Sequence, residues 1–268
     1  MLKRLILALL LLTATFSAKA LEYTDVWWNP AESGWGALLV QSDTFQFIAF
    51  YIYGPDGKPT WYTAELTDDG TGTYRGPLYA TTGTPFALPW DPAQHDNNPP
   101  PAGTAAFQPI DIYHATLTYT VNGFPNVTKT IQRETLMPYK LAGNYSGSMS
   151  GTISGCSDPM LNEPAFRGRY ALQVTQVADS SATLNLAFVD ATNAGTVCTV
   201  SGPLTHLGRL YQMANATITC TGPGQDGLPR SATIDSFHPT GQGIEGRLTS
   251  NFGGGCAASL RFAAVLNN

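Results

Sequence analysis

Residues 44–66, TFQFIAFYIYGPDGKPTWYTAEL, decide the fold class. The flanks Thr44–Tyr53 and Lys58–Leu66 are rich in aromatic and β-branched residues, which favour strands, and Gly54-Pro55-Asp56-Gly57 favours a tight turn. The stretch therefore predicts an antiparallel β-hairpin. Because the strand TFQFIAFYIY is apolar on both faces, either both faces are covered or one of them lines a binding cavity.

The rest of the first half also has the pattern of β-structure. Further strands are predicted near 22–28, 35–41, 72–79, 104–109, 112–121 and 127–135. Residues 84–103 contain six prolines, which cannot donate to a sheet ladder, so this segment is a loop. A loop of this length is either a stiff surface cover over the sheet or a binding loop.

The second half is a run of short alternating segments between turn residues. Eight strands are predicted, near 142–155, 167–177, 181–189, 195–204, 209–220, 230–237, 242–249 and 256–266. Short connections favour an up-and-down barrel, with a two-sheet sandwich as the alternative. The fold class is therefore all-β, with two antiparallel barrel-like or sandwich domains.

The four cysteines all lie in this second half. In a closed barrel the first and last strands are neighbours, which brings Cys156 near Cys256, and Cys198 and Cys220 are opposite each other across a hairpin centred near Arg209. The register thus predicts the disulfides Cys156–Cys256 and Cys198–Cys220, although the two other connectivities remain open. Zinc is disfavoured, because the chain has no C-x-x-C pair and no His beside a Cys.

The N-terminal segment predicts export. Residues 1–20 combine a short basic start, an apolar run from Leu5 to Leu12 and the small residues Ala18 and Ala20, which predicts a signal peptide cleaved between Ala20 and Leu21. No later stretch is apolar enough to span a membrane. The composition then divides the chain into residues 21–138, which hold all five Trp, and residues 139–268, which hold all four Cys.

Charge excludes one class of partner. Three of the 14 basic residues lie in the predicted signal peptide, which leaves 11 against 19 acidic side chains. An acidic chain lacks the basic surface that nucleic acids require. The charge therefore predicts that the protein binds no nucleic acid. The signal peptide predicts a secreted or periplasmic location, and the sequence does not specify an oligomeric state.

The segment from Trp27 to Gly36, WWNPAESGWG, resembles a repeated signature of uncharacterised bacterial exported proteins. The likeness extends over residues 23–135 and includes the segments DGKPTW (56–61), GPLYATTG (76–83) and TYTVNG (118–123). It implies a bacterial source and an exported β domain, and it brings no activity or catalytic residues. Residues 139–268 resemble no family known to us.

No catalytic or metal motif stands out. The chain has no G-x-S-x-G element, and Ser33 is best explained as a turn residue. Glycoside hydrolysis needs two carboxylates that face each other across a cleft; Glu32, Glu65 and Asp111 lie near aromatic residues, but nothing in the sequence shows that any two of them meet. The four His are not spaced as metal ligands, so neither a metal nor a cofactor is predicted.

The aromatic cluster of the first half carries the functional hypothesis. Core burial is the simpler explanation for Trp27, Trp35 and Trp61. Trp28 and Trp90 are better candidates for exposure to solvent, because Trp28 is out of phase with Trp27 and Trp90 lies in the Pro-rich loop. The candidate ligand-binding residues are Trp28, Trp90, Glu32 and Trp61. They predict a non-catalytic, exported binding module for a carbohydrate or a small apolar ligand. The alternatives are a secreted hydrolase and an inhibitor or partner of another exported protein.

Overall fold

The computed structural model describes residues 21–96, 98–251 and 255–267, so the predicted signal peptide lies outside the described residues. The first half forms a closed antiparallel barrel of eight strands in sequential order. They are β1 (Asp25–Trp28), β2 (Gly36–Ser42), β3 (Phe45–Tyr53), β4 (Pro59–Asp68), β5 (Tyr74–Tyr79), β6 (Gly103–Pro109), β7 (His114–Val121) and β8 (Val127–Arg133). β1 pairs with β8, which closes the barrel.

The second half is also a closed antiparallel barrel, of eight strands with one short additional strand. Its strands are β9 (Gly143–Ser154), β10 (Glu163–Val177), β11 (Ser181–Phe188), β12 (Val197–Pro203), β13 (Thr205–Leu207), β14 (Leu210–Thr221), β15 (Arg230–Thr240), β16 (Gly243–Asn251) and β17 (Ala257–Leu266). The all-β prediction is confirmed, the barrel rather than the sandwich is formed, and β13 is the one strand that the sequence pattern missed. Two single-turn 3₁₀ segments, Pro92–Gln94 and Pro159–Leu161, lie in the connections.

The cysteines form the two disulfides that the strand register predicted. Cys156 follows β9 and Cys256 precedes β17, and these two strands pair from Ser154 opposite Ala257 onward. Cys198 and Cys220 are direct partners across β12 and β14. The first bond lies next to the pairing of β9 with β17, which are far apart along the chain, and the second links β12 and β14, whose pairing closes the barrel. Because disulfides persist in oxidising compartments, both accord with an extracellular or periplasmic location.

The predicted hairpin is confirmed, with Tyr53 opposite Pro59 at its turn. Even-numbered residues of β3, such as Ile48 and Phe50, face the barrel interior and are buried. The odd-numbered residues Phe47 and Tyr51 face outward, where both are exposed. The expectation that both faces of this strand are covered is therefore wrong, and the alternative, in which one face lines a cavity, is the one the structure shows.

The two ends of the first barrel differ. In an up-and-down barrel alternate connections lie at the same end, so residues 29–35, 54–58, 80–102 and 122–126 share one end, which we call the open rim. The Pro-rich loop emerges from this rim. The other end, the closed rim, carries residues 110–113 and the segment that leads to the second barrel, and the second barrel packs against it.

Hydrogen bonds between side chains of the first barrel and the backbone of the second hold the second barrel on the closed rim. The Tyr113 hydroxyl donates to Tyr211 O (3.2 Å) and accepts from Ser236 N–H (2.9 Å), and Arg209 N–H donates to Asp25 Oδ2 (3.0 Å). Gly208 lies between them with φ of +64°, and a Cβ there would be 2.3 Å from Asp25 Oδ2. The contact thus requires glycine, since any other residue combines backbone strain with a clash.

Residues 21–96, 98–251 and 255–267 contain no helix that is long and apolar enough to span a membrane.

Candidate functional site

The open rim leads into a cavity of about 430 Å³ inside the first barrel. A volume of this size is typical of sites for small molecules. Its walls are the inward side chains of the strands near this end, because successive residues of a strand alternate between the two faces. The main wall residues are Phe50, Ile52, Tyr62, Leu117, Tyr119 and Val121.

The cavity is apolar and aromatic, with a single charged residue in its described lining, Lys129. Trp35 and Phe124, from the β1–β2 and β7–β8 connections, form the outer part of the wall. The deeper wall is part of the hydrophobic core, since Phe50, Leu78 and Leu117 are all buried. The site is therefore an unfilled continuation of the core that opens at one rim.

The β1–β2 connection is shaped by its own turn residues. Asn29 Oδ1 accepts from Ala31 N–H (2.9 Å), and Glu32 N–H donates to Asn29 O (2.9 Å). Gly34 has φ of +102°, a conformation that favours glycine, and a Cβ at this position would be 3.4 Å from the Tyr53 hydroxyl. This turn directs Glu32 and Trp35 toward the cavity entrance.

Glu32 is the centre of a polar network at the rim. Its Oε2 accepts hydrogen bonds from Lys129 Nζ and from Trp35 Nε1 (3.2 Å), and its Oε1 accepts from Asn29 Nδ2 (3.2 Å). Lys129 Nζ also lies 5.2 Å from the centroid of the Trp35 ring, in a cation–π arrangement. The hydrogen bond from Lys129 lowers the pKa of the Glu32 carboxyl from its ordinary value, which favours the carboxylate form of Glu32.

The other predicted ligand-binding residues lie outside the cavity. Trp61 points outward from β4 and is 59% exposed, so the expectation that it is a core residue is wrong. Trp90 is exposed in the Pro-rich loop, where its ring lies 5.5 Å from that of His95. Trp28 is half-buried on the outer face of β1, and its Nε1 is buried without a partner among the described residues. Of the four candidates, Glu32 alone joins the network at the entrance.

Trp27 and Trp35 lie inside, as expected for core rings, but in different places. Trp27 is completely buried at the closed rim, where Phe107 and Arg133 pack against its ring at 5.1 Å each. Trp35 is partly buried and lines the cavity. A role in the core and a role in the site are therefore compatible for Trp35.

The acids that resembled a hydrolase pair are separated by the fold. Glu32 lies at the open rim, Asp111 lies in the β6–β7 connection at the closed rim, and Glu65 is on the outer face of β4. Asp111 Oδ2 instead lies within hydrogen-bond distance of His114 Nδ1 (2.9 Å). Within the described ranges no group of three His, Cys, Asp or Glu residues is placed to hold a metal ion.

Sequence reasoning missed Lys129, which is the charged residue of the site. A signal exists in β8: Val127, Lys129, Ile131 and Arg133 occupy alternate positions, so two cations share the inward face with two apolar residues. Lysine and arginine at inward positions require partners, and each such residue is a candidate for a site or an interface.

No protein family and no curated protein matches the chain by sequence. One similar solved structure is the isotype 1 transferrin binding protein B from serogroup B Neisseria meningitidis, at 12% sequence identity and a TM-score of 0.26. The match covers 87% of this chain and 52% of that one, so the chain spans about half the length of that structure. At this TM-score the likeness carries no argument about ligand or partner.

Proposed function

We propose that this chain is an exported, non-catalytic binding module that holds a small apolar ligand in the open-rim cavity. The single observation that carries the proposal is the cavity itself: about 430 Å³, walled by apolar and aromatic side chains, and open at one end. Transfer of the apolar surface of a ligand from water to contact with these walls is favourable. The second barrel serves as a disulfide-bonded support that closes the other end.

The residues of the WWNPAESGWG segment support a shared role for this signature. Asn29, Glu32 and Trp35 all lie in it and together form one side of the entrance. We propose that the bacterial exported proteins that this segment resembles form the same rim. In that case the segment marks a binding site rather than a catalytic one.

Binding of the neutral fluorescent probe N-phenyl-1-naphthylamine to the exported, disulfide-bonded protein tests the proposal. The probe should bind with enhanced emission, and Val121→Trp, which fills the cavity, should weaken binding at least about tenfold, by loss of apolar contact. Val177→Trp is the matched control, because Val177 is 68% exposed on the second barrel. Unchanged probe binding in Val121→Trp, with the fold intact, would contradict the proposal.

A carbohydrate is the second candidate ligand, and a different surface favours it. Tyr51 and Trp61 are direct cross-strand partners on the outer face of β3 and β4, and both rings are more than half exposed. Exposed rings side by side provide flat apolar surface for sugar rings. Retention of the exported protein on an insoluble polysaccharide, lost in Trp61→Ala and kept in Val121→Trp, would support this site.

A further inference from the structure

We propose that the ligand of the open-rim cavity is an anionic amphiphile, with an apolar chain in the cavity and a carboxylate on Lys129. The inference rests on the proposed function and specifies its ligand class. It starts from one observation. Lys129 is the charged residue of an otherwise apolar wall, and its side chain is only 19% exposed.

Arg133 is an inward-facing cation of the same barrel whose hydrogen-bond donors are mostly paired. It lies four residues further along the same strand, and its guanidinium donates to Ile112 O (2.7 Å), Glu22 O (2.7 Å), Thr24 O (3.2 Å) and Asp25 Oδ2 (2.8 Å). Arginine has five N–H donors, so this network uses most of them. Arg133 is committed to the closed rim and has no access to the cavity lining.

Lys129 is different, because its ammonium has three donors and Glu32 is its one hydrogen-bond acceptor among the described residues. Two N–H groups therefore remain for an acceptor that enters the cavity mouth. Glu32 is on the solvent side, with 42% of its side chain exposed, so water and salt screen its charge more than that of Lys129. A ligand group at the mouth thus meets a partly uncompensated cation.

This arrangement selects among headgroups. The Lys129 ammonium would donate to a carboxylate as one ion to another, whereas its bond to an alcohol oxygen involves only one charged group, so a carboxylate should bind more tightly than an alcohol on the same chain. A quaternary ammonium offers no acceptor and is repelled by Lys129. The apolar walls of Phe50, Ile52 and Val121 favour an alkyl chain over a polar body.

Competition with N-phenyl-1-naphthylamine at about pH 8 tests the inference, with decanoate, decanol and decyltrimethylammonium as competitors of equal chain length. In the wild type decanoate should displace the probe at concentrations at least about tenfold lower than decanol, the gain expected when the acceptor is charged as well as the donor. Decyltrimethylammonium should be the weakest of the three. Lys129→Met should remove the preference, so that decanoate displaces the probe no more readily than decanol does.

Lys58→Met is the matched control. Lys58 carries the same charge on the β3–β4 turn of the same rim, but its side chain is 81% exposed and pairs with Asp56. The preference for decanoate should survive in this variant. Equal displacement by decanoate and decanol in the wild type, or an equal loss of preference in both lysine variants, overturns the carboxylate assignment while the apolar site stands. Failure of the probe itself to bind overturns both proposals.

Discussion

The two barrels share a topology and differ in how they use the interior. In the second barrel all eight main strands contribute buried side chains to one core, and two disulfides join its strands. In the first barrel the core fills the closed rim, where Tyr23, Trp27, Tyr74 and Phe107 pack together, and gives way to a cavity at the open rim. A barrel that leaves part of its core unfilled gives up apolar contact at that end.

The largest expected effect concerns the second barrel. Cys156–Cys256 closes a loop with a sequence separation of 100 and Cys198–Cys220 one of 22. In the chain-entropy model, removal of the first bond with Cys156→Ser/Cys256→Ser costs about 4.7 kcal/mol, and removal of the second costs roughly 3.4 kcal/mol. Urea denaturation of the two double variants measures both losses. An equal or reversed order would show that chain entropy does not dominate the stability of this barrel.

The next effect separates the two ends of the first barrel. Arg133→Met leaves Asp25 without its buried partner and three backbone carbonyls without their donor, which should cost about 3 kcal/mol or more. Lys129→Met removes an ion pair whose carboxylate is exposed, and stability should change little. Thermal and urea melts of both variants give the comparison.

Equal destabilisation by the two substitutions would contradict the distinction between a closed and an open rim. The Arg133 variant also tests the interface, because Asp25 accepts from Arg209 N–H of the second barrel as well as from Arg133. We therefore expect the two barrels to unfold in one transition in the wild type and in separate transitions in Arg133→Met.

The smallest effect is a dependence on alkaline pH. Burial raises the pKa of Tyr113, whose hydroxyl lies between the barrels, to about 12 from about 10 in the unfolded chain. The folded state favours the protonated phenol. The contribution of Tyr113 to the free energy of unfolding is therefore complete below about pH 10 and is lost as the pH rises through about 12. Each pH unit between these two values lowers the free energy of unfolding by about 1.4 kcal/mol through this group.

Urea melts between about pH 9 and 11 test this expectation. Tyr113→Phe should lower the starting stability and flatten the decline, because the titrating group is gone and its hydrogen bonds are lost with it. Tyr51→Phe is the control, since Tyr51 is exposed on the outer face. If Tyr113→Phe declines as steeply as the wild type, other groups determine the alkaline sensitivity.

Local patterns were sufficient to predict most of the fold. The β3–β4 hairpin follows from its turn residues, and the Cys198–Cys220 bond follows from symmetry about a hairpin centre, both of which are short-range properties. The outward rings Phe47, Tyr51 and Trp61 were harder to place, because apolar residues occur on both the inner and the outer face of a strand and their type alone does not identify the face.

The site could be predicted only in part, because it exists only after the barrel closes. Closure brings the β1–β2 turn with Glu32 and Trp35 beside Lys129, which is 97 residues from Glu32 along the chain. The signature segment indicated Glu32, but its partner depends on the register of β8. Trp90, an attractive candidate by composition, lies in a loop and does not reach the cavity lining.

Gly208 has a consequence for how such a molecule can evolve. Its missing side chain makes room for Asp25 and Arg133 of the first barrel, so the fit between the barrels depends on a position in each half of the chain. Recombination that joined either barrel to a different neighbour would place an unrelated residue at this contact. We therefore expect the two halves to be inherited as a matched pair, and a transplanted first barrel to need a new partner with a glycine hairpin to cover its closed rim.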